Sequence, residues 1–417
     1  MDLELVTIGT ELLLGFTIDS NAADIARALA PVGARVVRRT TVGDEGTMIG
    51  HAVGEALQRT GFVIATGGLG PTRDDVTKRV VADLFGAPLE LNEELLSALR
   101  DRFARLGRPM PAINRSQAEV PRGCVVLPNR WGTAPGLWLE GLPGTVVLLP
   151  GVPREMRGLL EEEVLPRVRS RAERGGKTGN VTASRTLRTT GIAESALAER
   201  IGDLEDGLAP ATLAYLPGVD GVDLRLTVWD LPAAIAQKTL GDSAERLRPA
   251  LGGYCYGEGE TDLAAVVLDH LRAAHLTLAV AESCTGGLLG ARLTAVPGSS
   301  DVFVGGVIAY ANAVKTGALA VPAALIETQG AVSEGVVRAM ATGVAHQLGA
   351  RAAIAVTGIA GPAGGSPEKP VGTVWIAAAV GERVDAALRR FPGDREDIRR
   401  RAAQAGLDLL RRTLPHS

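Results

Sequence analysis

A chain of 417 residues exceeds what one ordinary core organises, and at about 100–200 residues per domain it predicts roughly two to four domains. With 46% hydrophobic and 22% charged residues it has ample apolar material for buried sheets, which excludes wholesale disorder. A formal charge of -3, with acids and bases interleaved, excludes attraction of the whole chain to nucleic acid or to a membrane surface, so an anionic ligand must be held by local groups.

Cys124, Cys255 and Cys284 are odd in number and far apart, which argues against a disulfide framework and against a clustered-thiolate zinc site. The opening "MDLELVTIGTELLLG" lacks a basic leader and carries acids among its apolar residues, so it reads as a first strand. No apolar run reaches the roughly 20 residues that span a bilayer. A soluble, cytoplasmic protein without a membrane partner is the expectation.

In chain order, "LELVTIG" predicts a strand, and "DSNAADIARALAPVG" a helix with Ala22, Ile25, Ala26 and Leu29 on one face behind the capping candidates Asp19 and Ser20. "ARVVRRTTV" and "GFVIAT" are further strands on either side of the helix "TMIGHAVGEALQR". Such alternation predicts an α/β domain with a parallel sheet and helices on both faces, whose ligands sit beyond the carboxyl ends of strands. The strand "GFVIAT" enters "GGLGPTRDD", where Gly67, Gly68 and Gly70 precede a helix expected near Asp75. Glycines there let backbone amides approach an anion at a helix start, or they serve a tight turn alone. Asp74 and Asp75 can offer carboxylate oxygens to a divalent cation, or act as ordinary helix-start residues. "TIGTELLLG" adds Thr10 and Glu11 at one strand end. "LLPGVPREM" adds Gly151 at another, with Pro153 in the first turn of the next helix.

The loop "GGLGPTRDD" resembles the Gly-Gly-x-Gly-x-x-x-Asp segment of the molybdopterin-binding fold of the MoaB and MogA proteins. With the opening "GTEL" and the closing "PGVPREM", it resembles more closely the N-terminal domain of the competence/damage-inducible CinA family. That resemblance implies divalent-metal-dependent hydrolysis of ADP-ribose to AMP and ribose 5-phosphate. Gly67, Gly68, Gly70 and Thr72 are then nucleotide-site candidates, and Glu11, Asp74 and Asp75 are candidates for metal or acid/base roles that the sequence does not divide among them.

This first domain is assigned to residues 1–170. The polar "RAERGGKT" suits a linker, after which strand, helix, strand, strand, helix and strand patterns predict a small α+β domain over 171–258. From 259 to 417 a third, α/β domain follows, with strands "LTLAVA", "FVGGVIAY", "AAIAVTG", "VGTVWIAAAV" and "RVDAALRRF" and a last helix from Asp394.

In this third domain "TLAVAESCTGG" places Ser283 where a strand must turn, followed by Thr285, Gly286 and Gly287. A serine there, beside uncovered amides, can attack an acyl carbon if a base activates it. The histidines at 51, 270, 275, 346 and 416 belong to helices or distant regions, which makes a Ser-His-Asp triad a poor fit. "GGVIAYANAVKTG" instead supplies Tyr310 and Lys315, and a desolvated lysine can accept the serine proton. Ordinary strand-end and helix-surface roles explain the same residues. Cys284 is the stronger nucleophile by type, but neighbours in a turn point apart, and small apolar packing also accounts for it. "AVTGIAGPAGGSPEKPVGTVW" adds Thr357, Gly358 and Lys369, and "FPGDREDIR" adds Arg395, as possible phosphate partners.

The ordered set "ESCTGG", "PGSS", "AYANAVK", "GAVSEG", "TGIAGP", "PVGTV" and "GDR" resembles the C-terminal domain of the CinA family, called PncC when it stands alone. The resemblance implies a nicotinamide-nucleotide amidase, converting nicotinamide mononucleotide and water to nicotinate mononucleotide and ammonia without a cofactor. It nominates Ser283 as nucleophile with Lys315 and Tyr310 activating it, and Ser300 as a rival nucleophile. Thr285, Gly286, Gly287, Thr357, Gly358 and Arg395 become substrate-binding candidates. It also implies a homodimer and a KH-like middle domain. "GVDG", however, carries an acid and lacks flanking lysines, so a structural or dimer-forming role is expected there and a nucleic-acid partner is not. A second reading stays open, in which both sites belong to a non-catalytic nucleotide- or pterin-binding protein linked to competence and recombination.

Overall fold

The computed structural model describes residues 1–174 and 180–414; residues 175–179 of the expected linker, and His416, lie outside the described residues. The chain divides into two compact units, Met1–Ala183 with Val228–Lys238, and Ser184–Thr227 with Thr239 onward.

The first unit contains β1 (Asp2–Ile8), β2 (Arg35–Val42), β3 (Phe62–Thr66), a small ribbon of β4 (Leu89–Leu91) and β5 (Glu119–Pro121), then β6 (Val125–Leu127), β7 (Gly136–Gly141) and β8 (Gly144–Leu149). Its main sheet runs β2-β1-β3-β8-β7-β6. Successive residues face opposite sides of a strand, and here both sides are covered. Leu3, Leu5, Ile64 and Val147 join one core, whereas Val6, Val63, Val146 and Leu148 join the other. The four strands β2, β1, β3 and β8 are parallel as expected. The edge departs from that expectation, because β7 runs antiparallel to β8 and β6 antiparallel to β7. Only Leu142 and Pro143 connect β7 to β8, and so short a connection permits a hairpin but no crossover.

The middle segment carries β9 (Asn180–Thr189), β10 (Thr212–Pro217), β11 (Val222–Pro232) and β12 (Cys255–Glu258) in the order β10-β11-β9-β12, with helices Glu194–Ile201 and Ala233–Leu251. This is the alternation read from the sequence.

The C-terminal sheet runs β14-β13-β15-β16-β17, from β13 (Leu278–Glu282), β14 (Phe303–Ile308), β15 (Ala352–Gly358), β16 (Thr373–Val380) and β17 (Arg383–Arg390). β14, β13 and β15 are parallel, and β16 and β17 return antiparallel. One face presents Leu278, Val280, Ile354, Val356 and Ile376 to helices Leu263–Ala273 and Arg395–Thr413. The other is an alanine face, Ala279, Ala281, Ala353, Ala355, Ala377 and Ala379, packed against Val337, Met340 and Val344 of helix Glu334–Leu348. Methyl-sized side chains let that helix lie close to the sheet. Pairing of Glu282 with both Ile308 and Val356 puts the exits of the three parallel strands on one edge. Among the described residues no helix is long and apolar enough to cross a membrane.

Candidate active sites

At the shared edge of β13, β14 and β15 lies a cavity of about 210 Å³ lined by Ser283, Tyr310, Lys315, Thr357, Gly358 and Arg395, among others. Three strand exits and the start of the last helix supply these residues, so side chains more than 100 positions apart in sequence meet there.

Lys315 sits on helix Asn312–Leu319 and is 2% exposed. Its ammonium donates to the carbonyls of Ala309 (2.9 Å) and Tyr310 (3.2 Å), and no carboxylate pairs with it among the described residues. Burial holds its pKa below the ordinary 10.5, with the Cys284 thiol nearby as a smaller opposing influence. The shift is toward the neutral amine, the form that accepts a proton. Ser283 is buried at the turn, its amide donating to Val356 O (3.0 Å). Burial pushes the adjacent Cys284 thiol up to about 12, which favours its protonated form over the nucleophilic thiolate. Tyr310 is exposed, and its hydroxyl accepts a hydrogen bond from Arg395 Nη2 (3.0 Å). A second Arg395 nitrogen donates to Gly361 O, which fixes the guanidinium in the lining of the cavity. The Thr357 hydroxyl donates to Ala331 O (2.9 Å). Gly358 is required by space, since a Cβ there would lie 2.7 Å from Val374 Cγ2.

The remaining candidates of this domain lie elsewhere. Thr285 is fully buried, with its hydroxyl unpartnered among the described residues and its carbonyl held by Arg399 Nη2 (2.7 Å). The amide of Gly286 donates to Ser283 O (3.1 Å) and that of Gly287 to Glu282 Oε2 (3.0 Å). None of these three residues lines the cavity: the Thr285 carbonyl is held by Arg399, and the Gly286 and Gly287 amides are committed within the turn. Ser300 is exposed in the short helix Ser299–Asp301 before β14, at its amino end. β14 is parallel to β13, so Ser300 occupies the sheet edge opposite Ser283 and is not brought to this cavity. Lys369 is likewise spent on Gln329 O (3.0 Å) and Val332 O (2.8 Å).

Two contributors escaped the sequence reading. Asn312 lines the cavity two residues after Tyr310. Glu282, buried at the end of β13, accepts from the amides of Gly287, Leu289 (3.0 Å) and Gly290 (2.8 Å), which anchors the turn carrying Ser283. A carboxylate ending an otherwise apolar strand just before "SCTGG" is the signal that marks it.

In the first unit the exits of β1, β3 and β8 are adjacent. Asn21 ties two of them together, its Nδ2 donating to Gly151 O (2.8 Å) and Thr66 Oγ1 (3.3 Å), while Thr66 donates to Pro150 O (2.9 Å). Gly67 and Gly68 have φ of 112° and 66°. A Cβ would lie 2.1 Å from Ile8 O at the first and 2.0 Å from Thr77 Oγ1 at the second, so only glycine fits. Among the described residues Asn21 Oδ1 and Thr77 Oγ1 are buried without hydrogen-bond partners. The helix after the loop starts at Thr77, two residues beyond the expected Asp75. Asp75 is occupied locally, accepting from the Thr72 amide (2.9 Å) and hydroxyl, and Gly70 packs against that carboxylate. Glu11 and Asp74 are exposed. Among the described residues no three of His, Cys, Asp and Glu form a group that holds a metal ion. The donors fit a divalent cation only where phosphate oxygens complete the shell, the arrangement magnesium adopts with one or two carboxylates.

Comparison with known proteins adds three matches to family models. Residues 260–414 match the CinA C-terminal domain, 4–170 a probable molybdopterin binding domain, and 184–257 the damage-inducible protein CinA KH domain. A CinA-like protein of Gemmatimonas aurantiaca is 57% identical over 414 residues, covering 99% of this chain and 96% of its own. A putative competence-damage inducible protein of Symbiobacterium thermophilum is 44% identical over 421 residues, covering 99% and 98%. A crystal structure of competence damage-inducible protein A from Klebsiella pneumoniae is 37% identical, covering 37% of this chain and 96% of that one, with a TM-score of 0.36.

Proposed function

The chain belongs to the CinA family, and from that premise we propose that its C-terminal cavity hydrolyses nicotinamide mononucleotide to nicotinate mononucleotide and ammonia. The observation that carries this reading is Lys315, buried without a carboxylate partner in the wall that also holds Ser283. Neutral Lys315 takes the Ser283 proton as Oγ attacks the carboxamide carbon. The amide of Cys284, a cavity-lining residue, makes no main-chain hydrogen bond in the turn and is left to receive the developing oxyanion. The carbon–nitrogen bond then breaks, the nitrogen takes the proton from Lys315, and ammonia leaves. Water hydrolyses the resulting serine ester to the carboxylate and restores the hydroxyl. Arg395, placed by Tyr310 and Gly361, holds the 5′-phosphate, and Thr357 and Asn312 complete the walls.

For the first unit we propose hydrolysis of ADP-ribose in the cradle of Gly67 and Gly68, supported by the orphaned Asn21 and Thr77 oxygens. Glu11 and Asp74 would hold a divalent cation, whose chemistry there would be to neutralise phosphate charge. Thr72 and Asp75 keep the loop in shape through their mutual hydrogen bonds.

The test is ammonia release from nicotinamide mononucleotide by the purified protein, with Ser283→Ala and Lys315→Ala alongside. The expected result is release by the wild type and loss in both variants. Equal release in all three overturns the mechanism. Binding without turnover by the wild type supports the alternative of a nucleotide-binding protein.

A further inference from the structure

A second cavity of about 540 Å³ opens in the C-terminal unit, walled by the last helix, the end of β17 and the turn after β9. Its volume lies in the range of small-molecule sites. Arg401, Gln404, Asp408 and Arg412 line it at helical spacing, on a stretch of the helix well past Arg395. It shares no lining residue with the cavity that holds Ser283.

Gln404 is 3% exposed, yet among the described residues neither its Oε1 nor its Nε2 has a partner, and Arg401 Nε on the same helix is likewise buried and unpartnered. Buried polar atoms are normally paired, so an amide with both ends free marks a place where something else completes the bonds. One side-chain amide offers an acceptor and a donor side by side. Its complement is an edge that presents a donor and an acceptor together, such as the amino group and N7 of adenine or a carboxamide.

The charge of the same cavity selects an anion. Four arginines, Arg389, Arg390, Arg401 and Arg412, line it against two aspartates. Both aspartates are already engaged: Asp408 by Arg411 (2.7 Å) and Arg412 (2.8 Å), and Asp220 by Arg400 (3.6 Å) and Arg292 (3.8 Å). Arg389, Arg390 and Arg401 enter no ion pair among the described residues.

We propose that this cavity is a further nucleotide site, the second in the C-terminal unit, in which Gln404 reads a donor–acceptor edge and Arg390 and Arg401 hold a phosphate. Adenylate and nicotinamide mononucleotide both carry that chemistry, and titration separates them. Isothermal titration calorimetry of the full-length protein with AMP is expected to show saturable binding that Gln404→Leu weakens at least tenfold, as loss of a bidentate base contact does. IMP, whose carbonyl replaces the amino donor, binds wild type as weakly as AMP binds the variant. Arg390→Ala removes the advantage of AMP over adenosine. Nicotinamide mononucleotide is titrated in a Ser283→Ala background, with and without Gln404→Leu, so turnover does not enter the readout. A Gln404-dependent heat with this ligand and none with AMP assigns the edge to the carboxamide. Heats unchanged by Gln404→Leu for both ligands overturn the proposal, whatever the other sites bind. Thermal melting of Gln404→Leu at or above the wild-type midpoint shows that the variant is folded, since the change removes two orphaned atoms.

Discussion

Lys315 heads the fully buried side chains by size, and it is an ionisable residue whose charged form is disfavoured by burial. A buried ammonium without a carboxylate opposes folding, and removing it relieves the chain of desolvation. Function and stability therefore pull apart at this position. Lys315→Met is expected to lower kcat/KM for ammonia release by about 10²–10⁴-fold, the usual worth of a positioned base, while leaving Tm unchanged or raising it. A parallel fall in both would show that the lysine is structural. The pH dependence has a fixed sign. The folded pKa is below 10.5 because of burial, and the unfolded value is close to 10.5. Between the two the unfolded chain binds the extra proton, so this group's contribution to stability rises with pH through that window and is most unfavourable below it. Urea unfolding measured across alkaline pH should show this rise in wild type and a flatter profile in Lys315→Met. The same deprotonation gives kcat/KM an acidic limb that climbs with pH.

At the scale of elements, the turn between β13 and helix Leu288–Thr294 depends on one carboxylate. A helix of seven residues is too short to be stable by itself, and Glu282 gathers three amides at its start. Glu282→Gln keeps the shape but turns an NH2 toward an N–H. Expected is a loss of about 2–3 kcal/mol by urea denaturation, together with reduced ammonia release because Ser283 follows directly. Retention of full stability would assign the turn to its glycines alone. This turn also shows what local pattern discloses. Apolar periodicity made β13, β14 and β15 readable, and parallel pairing then brought Ser283, Tyr310, Lys315, Thr357 and Arg395 to one cavity. The engagement of the Gly286 and Gly287 amides was not readable, since glycine in a turn looks the same whether its N–H faces a ligand or Glu282. Nor was the position of Ser300, which depends on which end of a parallel strand a loop precedes. In the first domain β7, "GLWLEG", went unread because its glycines and its acid interrupt the alternation, and with it went the antiparallel edge.

At the scale of the whole chain, the two proposed hydrolytic sites rest on separate cores. The two clusters flanking the first sheet draw on residues 3–164 and 168 and on no residue of the C-terminal sheet, whose clusters begin at Tyr256. Substitutions at distant sites without shared partners add to within about 0.3–0.5 kcal/mol, a factor of roughly two in rate. Ser283→Ala is therefore expected to abolish ammonia release and to leave AMP formation from ADP-ribose within about twofold of wild type. The converse variant is Gly68→Ala, which forces a Cβ to 2.0 Å from Thr77 Oγ1 at a φ of 66° and so distorts the cradle. It should remove AMP formation and spare ammonia release. Chelation with EDTA divides the two activities along the same line, stopping the first and not the second. Loss of both activities in either single variant would mean that the sites communicate, and independence of the two cores would no longer describe the protein.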